Sequence, residues 1–70
     1  MHQRELIFAL QQRREILGVT QLHLADLAGV GLRTLKEIES GKGNPTVDTL
    51  IKLAEVLGME LQLRVKTPLV

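Results

Sequence analysis

Residues 20–45 read TQLHLADLAGVGLRTLKEIESGKGNP, and this stretch decides the fold. At its centre, Ala28-Gly29-Val30-Gly31 sets two glycines around one apolar residue, between two segments whose apolar residues recur with a helical period. Glycine tolerates positive φ, so the chain can reverse sharply there. Before the turn, Thr20 is a good N-cap, and Leu24, Ala25, Leu27 and Ala28 fall at the i, i+1, i+3, i+4 spacing of a buried face. The small alanines let a second helix come close. After the turn, Val30, Leu35 and Ile38 keep an apolar stripe, while Leu32, Arg33, Lys36 and Glu37 point the other way. The stripe holds the second helix, from about Gly31 to Ser40, and its opposite face is free to contact something else.

Working outward, residues 4–17 form a helix that follows a frayed start at Met1-His2-Gln3. Leu6, Leu10 and Leu17 share one face with Arg14 inserted among them, Ile7, Phe8 and Ile16 widen the apolar arc, and Gly18 ends the helix. Phe8 is the single aromatic residue; it fills core or a subunit contact and supplies no stacking platform for single-stranded nucleic acid. Downstream, Ser40–Pro45 is a loop by composition. Lys42 and the amides around Gly41 and Gly43 could clamp a phosphate, because glycine lets the main chain approach an anion closely, although the same residues also suit a plain connection. Thr46 and Asp48 suit the start of a fourth helix; Val47, Leu50, Leu53, Ala54 and Leu57 complete the core and Gly58 ends it.

Composition narrows the function. Seventy residues allow one domain, 1–70, whose unaided core supplies only about 3–5 kcal/mol, so a partner chain is an expected staple. With no cysteine, neither a disulfide nor a cysteine zinc site is available, and no metal or cofactor is expected. His23 projects from a helix surface with no second ligand at metal spacing. No charged start followed by a long apolar run is present, which points to a cytoplasmic protein without a membrane partner. The carboxylates are scattered over helix surfaces with no nucleophile and base among them, so an enzyme is not expected. A small-molecule ligand is not expected either, since a pocket of a few hundred Å³ has nowhere to form. The net charge of +1 is small for a nucleic-acid binder, so placement of charge must compensate for its amount.

Gln21, Ala25, Gly29-Val30, the run Thr34-Leu35-Lys36-Glu37-Ile38-Glu39, then Gly41-Lys42 and Asn44-Pro45 together resemble the phage-repressor and Cro type of helix-turn-helix, the XRE-type family, over residues 4–58. The resemblance implies an all-α, lambda-repressor-like domain of four to five helices that binds double-stranded DNA. It places base-reading contacts on Gly31, Leu32, Arg33, Lys36 and Glu37. Arg33 suits a bidentate contact to guanine, Lys36 a guanine or a phosphate, and Leu32 a thymine methyl, while Glu37 is either an acceptor from cytosine or a neutral or repulsive rim residue. Phosphate contacts fall on Gln21, Thr34 and Lys42 with Gly41 and Gly43, and Arg13 is a further phosphate donor. Gln21 also reads as an ordinary first-turn residue. Arg14 matches an arginine that pairs with the glutamate at Glu39, a salt bridge whose structural role outweighs a phosphate role. The family commonly carries short polar residues where this chain has Gly31 and Leu32, so the target sequence does not transfer.

The second informative stretch is Met59-Glu60-Leu61-Gln62-Leu63-Arg64-Val65-Lys66. Strict alternation puts Met59, Leu61, Leu63 and Val65 on one face, the pattern of a half-buried β-strand at 59–66, with 67–70 as a tail in which Pro68 ends pairing. Nothing else in the chain can pair with it, so the economical partner is the same strand of a second copy; a frayed helix extension is the competing reading. A homodimer would set two recognition helices about 34 Å apart on a palindromic site. A C-terminal strand after the helices resembles HipB-like antitoxins. The expected function is thus a sequence-specific DNA-binding repressor, or an antitoxin that restrains a HipA-like toxin kinase while regulating its own operon.

Overall fold

The computed structural model describes residues 2–66, arranged as α1 (Gln3–Ile16), α2 (Gln21–Ala28), α3 (Leu32–Glu39) and α4 (Val47–Val56). Met1 and the expected tail at 67–70 lie outside the described residues. Local sequence accounts for the boundaries. Thr20 and Thr46 adopt extended backbone and their hydroxyls accept from the amides of His23 and Thr49, which satisfies one otherwise unpaired donor at each helix start. All four helices end alike: the residue after a glycine donates back to a carbonyl in the last turn, as Val30 does to Ala25 and Lys42 to Glu37. At the α2–α3 turn this closure needs a left-handed residue, and Gly29 supplies it with φ of 69°. Gly31, expected to share that freedom, instead has φ of −62° and serves as the N-cap of α3.

The core is Ile7 and Leu10 of α1, Leu24 and Ala25 of α2, Leu35 and Ile38 of α3, and Leu50, Leu53, Ala54 and Leu57 at α4. Leu24, Leu35, Leu53 and Leu57 are buried to about 1% exposure. Truncating any one to alanine costs about 2–5 kcal/mol, of the same order as the whole stability of a domain this small. Val30 and Ala28 pack at the edge of the same cluster.

Several expected core positions lie elsewhere. Leu27 is exposed, because about 100° of turn per residue leaves it outside the arc spanned by Leu24, Ala25 and Ala28. Val47 is exposed because it opens α4 at the rim of the bundle, a full turn before Leu50 enters the core. Phe8, Ile16 and Leu17 are exposed as well; the inner face of α1 is set by Ile7, Leu10 and Arg14, and no element among the described residues covers the other side. Phe8 is therefore not core. Leu32, expected on the outer face, packs in part against the core. At the start of the chain Gln3 is not frayed: it begins α1, and its Nε2 donates to the Pro45 carbonyl at 3.1 Å and to Asn44 Oδ1 at 3.4 Å.

Residues 59–66 form no strand, and no strand occurs among the described residues. Met59 donates its amide to Ala54, and Met59 and Leu61 pack at the core edge, whereas Leu63 and Val65 stand fully exposed. A strand is defined by its ladder, and a single copy of this chain offers it no free edge to pair with.

Candidate nucleic-acid interface

Helix α3 presents two faces of opposite character. Leu35 and Ile38 lock its inner side, and Arg33, Thr34, Lys36 and Glu37 are exposed on the other. An open groove runs along this outer side, lined by Leu32, Arg33, Lys36, Glu37, Ser40 and Lys42. Of the residues expected to read bases, Leu32, Arg33, Lys36 and Glu37 are thus brought together. Gly31 precedes them at the helix start, where an added Cβ would meet nothing nearer than Thr34 Oγ1 at 3.7 Å. The sequence reading passed over Ser40, which continues the i, i+4 series from Lys36 and would have appeared on a helical projection. Its hydroxyl donates to the Glu37 carbonyl at 2.9 Å and closes the end of α3.

The orientation of α3 is set by a buried polar knot. Arg14 of α1 donates through Nε to Glu39 Oε2 at 2.8 Å and through Nη2 to Oε1 at 2.9 Å, and through Nη1 to the Val19 carbonyl at 2.8 Å. Gln21, the first residue of α2, donates to Glu39 Oε1 at 2.7 Å. The Arg14 and Glu39 side chains are only 12% and 6% exposed, so the three helices meet at one neutralised, hydrogen-bonded carboxylate. The bond to Glu39 raises the Arg14 pKa above its already high ordinary value. One amide hydrogen of Gln21 is committed here; the second has no hydrogen-bond partner among the described residues.

Charge is sorted around the molecule. Among the described residues, Arg14 pairs with Glu39, Arg33 with Glu37 and Lys52 with Asp48, and Arg13 donates to the Leu57 carbonyl at the end of α4 at 3.1 Å. Arg13 therefore lies at α4 and lines none of the concavities around α3. Arg4, Lys36, Lys42, Arg64 and Lys66 have no ion-pair partner among the described residues, and Lys36 and Lys42 both line the α3 groove. In the loop that follows, the Gly41 amide is committed to Ile38 and the Lys42 amide to Glu37. A phosphate clamp built on the Gly41 amide is thereby corrected, because the end of α3 already uses that donor. The Lys42 side chain and the Gly43 amide are left.

Comparison with known proteins gives this arrangement a family. The sequence model of the helix-turn-helix family matches residues 10–63, most of the chain and all of α2, the turn and α3. The chain belongs to the XRE-type helix-turn-helix family. A transcriptional repressor, RstR, of a cryptic CTXphi phage in Vibrio cholerae is 36% identical over 52 residues, covering 74% of this chain and 46% of that protein. An HTH-type transcriptional regulator of Haemophilus influenzae is 42% identical over 64 residues, covering 87% of this chain and 65% of that protein. The chain thus spans between about half and two thirds of the length of these relatives. In this helix-turn-helix α2 is the leading helix and α3 the one whose outer face is free. No group of three or more metal-ligating side chains occurs among the described residues, and no described helix is long and apolar enough to cross a membrane.

Proposed function

We propose that this chain is a sequence-specific DNA-binding transcriptional regulator, a repressor acting as a homodimer on a palindromic operator. The observation that carries this reading is the outer face of α3: Arg33, Lys36 and Lys42 converge on one exposed groove while Leu35 and Ile38 fix the helix beneath them. A major groove admits one α-helix, and the first turns of α3 would enter it, with Gly31, Leu32, Arg33, Lys36 and Glu37 at base edges. Gly31 lets the start of α3 approach the bases without a side chain between. Thr34, Lys42, Gln21 and the Gly43 amide would take phosphates and set the register. The names of the relatives favour regulation of transcription.

The dimer rests on residues 59–66. Leu63 and Val65 are an apolar pair in full contact with water, next to Met59 and Leu61, which the core already anchors. An antiparallel pairing of two such segments would cover both and supply each backbone with a ladder.

The test is selection of bound sequences from a random duplex pool by the purified protein, with its mass in solution recorded alongside. An enriched palindrome with half-sites about one helical turn apart, bound by a dimer, is the expected result. Leu63→Lys should yield a monomer that loses operator affinity; a variant that stays dimeric would remove the strand pairing. A well-folded dimer that enriches no sequence would transfer the weight to a protein partner.

A further inference from the structure

Three concavities join end to end around the loop after α3. The α3 groove shares Ser40 with a second hollow lined by Arg4, Ile7, Phe8, Gln11, Ser40 and Gly41, and this shares Arg4 and Gly41 with a third, lined by His2, Gln3, Arg4, Ile7, Gly41 and Gly43. The result is a continuous track from the recognition helix, past the loop, to the first turn of α1. Three of the six cations without an ion-pair partner among the described residues, Lys36, Lys42 and Arg4, lie along it. The carboxylates on the track are Glu37, paired with Arg33, and Glu39, enclosed by Arg14 and Gln21. Glu5 lines an adjoining hollow with His2, Arg4 and Phe8, so one carboxylate without an ion-pair partner among the described residues borders the Arg4 end of the track.

We propose that Arg4, with the backbone amide of Gly43, forms a second phosphate site on each protomer that takes the DNA backbone phosphate beside the one held by Lys42. The Gly43 amide makes no backbone hydrogen bond among the described residues, unlike its neighbours at Gly41 and Lys42. Gln3 ties the two halves of the site together, since its bonds to Pro45 and Asn44 hold the loop at a fixed distance from the helical turn that bears Arg4. The sequence carries no spacing signal for this site, because its halves lie some forty residues apart. The proposal rests on the DNA-binding reading above.

The experiment is a salt titration of binding to a 20-base-pair duplex of random sequence, so that backbone contacts alone are read. Each phosphate contact contributes about 0.9 to the slope of log affinity against log salt. Arg4→Gln should therefore lower the slope by about 0.9 per protomer bound and weaken binding about eightfold at 0.1 M salt, with the difference vanishing toward 1 M. Arg4→Lys should retain the wild-type slope, and both variants should melt with the wild type because Arg4 is exposed and unpaired. If Lys42→Ala lowers the slope and Arg4→Gln does not, the second site is wrong and the DNA-binding reading stands. If the wild type shows no salt-dependent binding, both are overturned.

Discussion

Two arginine–glutamate pairs bracket α3, and they are made of the same chemistry for opposite ends. Arg14 and Glu39 meet in two bonds of 2.8 and 2.9 Å with 12% and 6% of their side chains exposed. Arg33 and Glu37 approach to 3.6 Å one helical turn apart, with 94% and 52% exposed. The first pair lost its water on folding and depends on having every bond made, so it holds three helices in one arrangement and can do little else. The second is loose and screened, so Arg33 can leave its glutamate at small cost, as the base-reading role proposed for it would require. Burial, not pairing, separates the two ion pairs.

The difference can be broken most forcefully at the buried pair. Glu39→Ala should leave the part-buried Arg14 with only the Val19 carbonyl and the distant Glu15 carboxylate, at a cost of up to about 3 kcal/mol, a large share of the stability of so small a domain; chemical denaturation followed by circular dichroism reads it. Replacing both partners, as Arg14→Met with Glu39→Leu, should recover most of that loss, because well-packed apolar residues substitute for a buried pair. If the double variant is no more stable than Glu39→Ala, the knot has a packing role beyond its charge. The next largest effect is at the exposed pair and concerns binding instead of folding. Arg33→Ala should change stability by less than about 0.5 kcal/mol yet cost about 1–3 kcal/mol of specific DNA binding and relax one position of the selected site. Unchanged selectivity would remove Arg33 from the reading set.

The same contrast explains what was legible in the sequence. Local rules found Thr20, Thr46 and Gly29, because a cap or a left-handed turn is decided within a few residues. The strand-like alternation at 59–66 is also visible in the residues, but its pairing is a property of two chains. Apolar periodicity placed Leu27 and Val47 inside, because it counts apolar residues and carries no information on how wide the covered arc is or where a neighbouring helix stops. The glycine-rich SGKGNP read as an anion clamp, but the C-terminal carbonyls of α3 compete for the Gly41 and Lys42 amides. The outer face of α3 was readable from spacing, whereas Arg4 shares a hollow with Gly41 and Gly43 only because the fold sets α1 against a loop some forty residues later.

The smallest expected effect is the sharpest discriminator between the two pairs. A double-mutant cycle on Arg33 and Glu37, each changed to alanine, should give a coupling energy of about 0.3–0.5 kcal/mol at 0.1 M salt, and none measurable at 1 M, where the screening length falls to about 3 Å. A cycle on Arg14 and Glu39 should keep most of its coupling over the same range, since a pair with only 12% and 6% of its side chains exposed is screened far less. Titration leads to the same conclusion. The raised Arg14 pKa means that the contribution of the pair is complete below the ordinary arginine range and is lost only as pH rises beyond it, so no alkaline weakening of the knot arises from Arg14 at working pH. With DNA present, the exposed coupling should disappear even at low salt, because Arg33 would then have exchanged Glu37 for a base. A coupling that survives in the complex would mean that Glu37 holds Arg33 in place while it reads, and the two would act as one recognition unit.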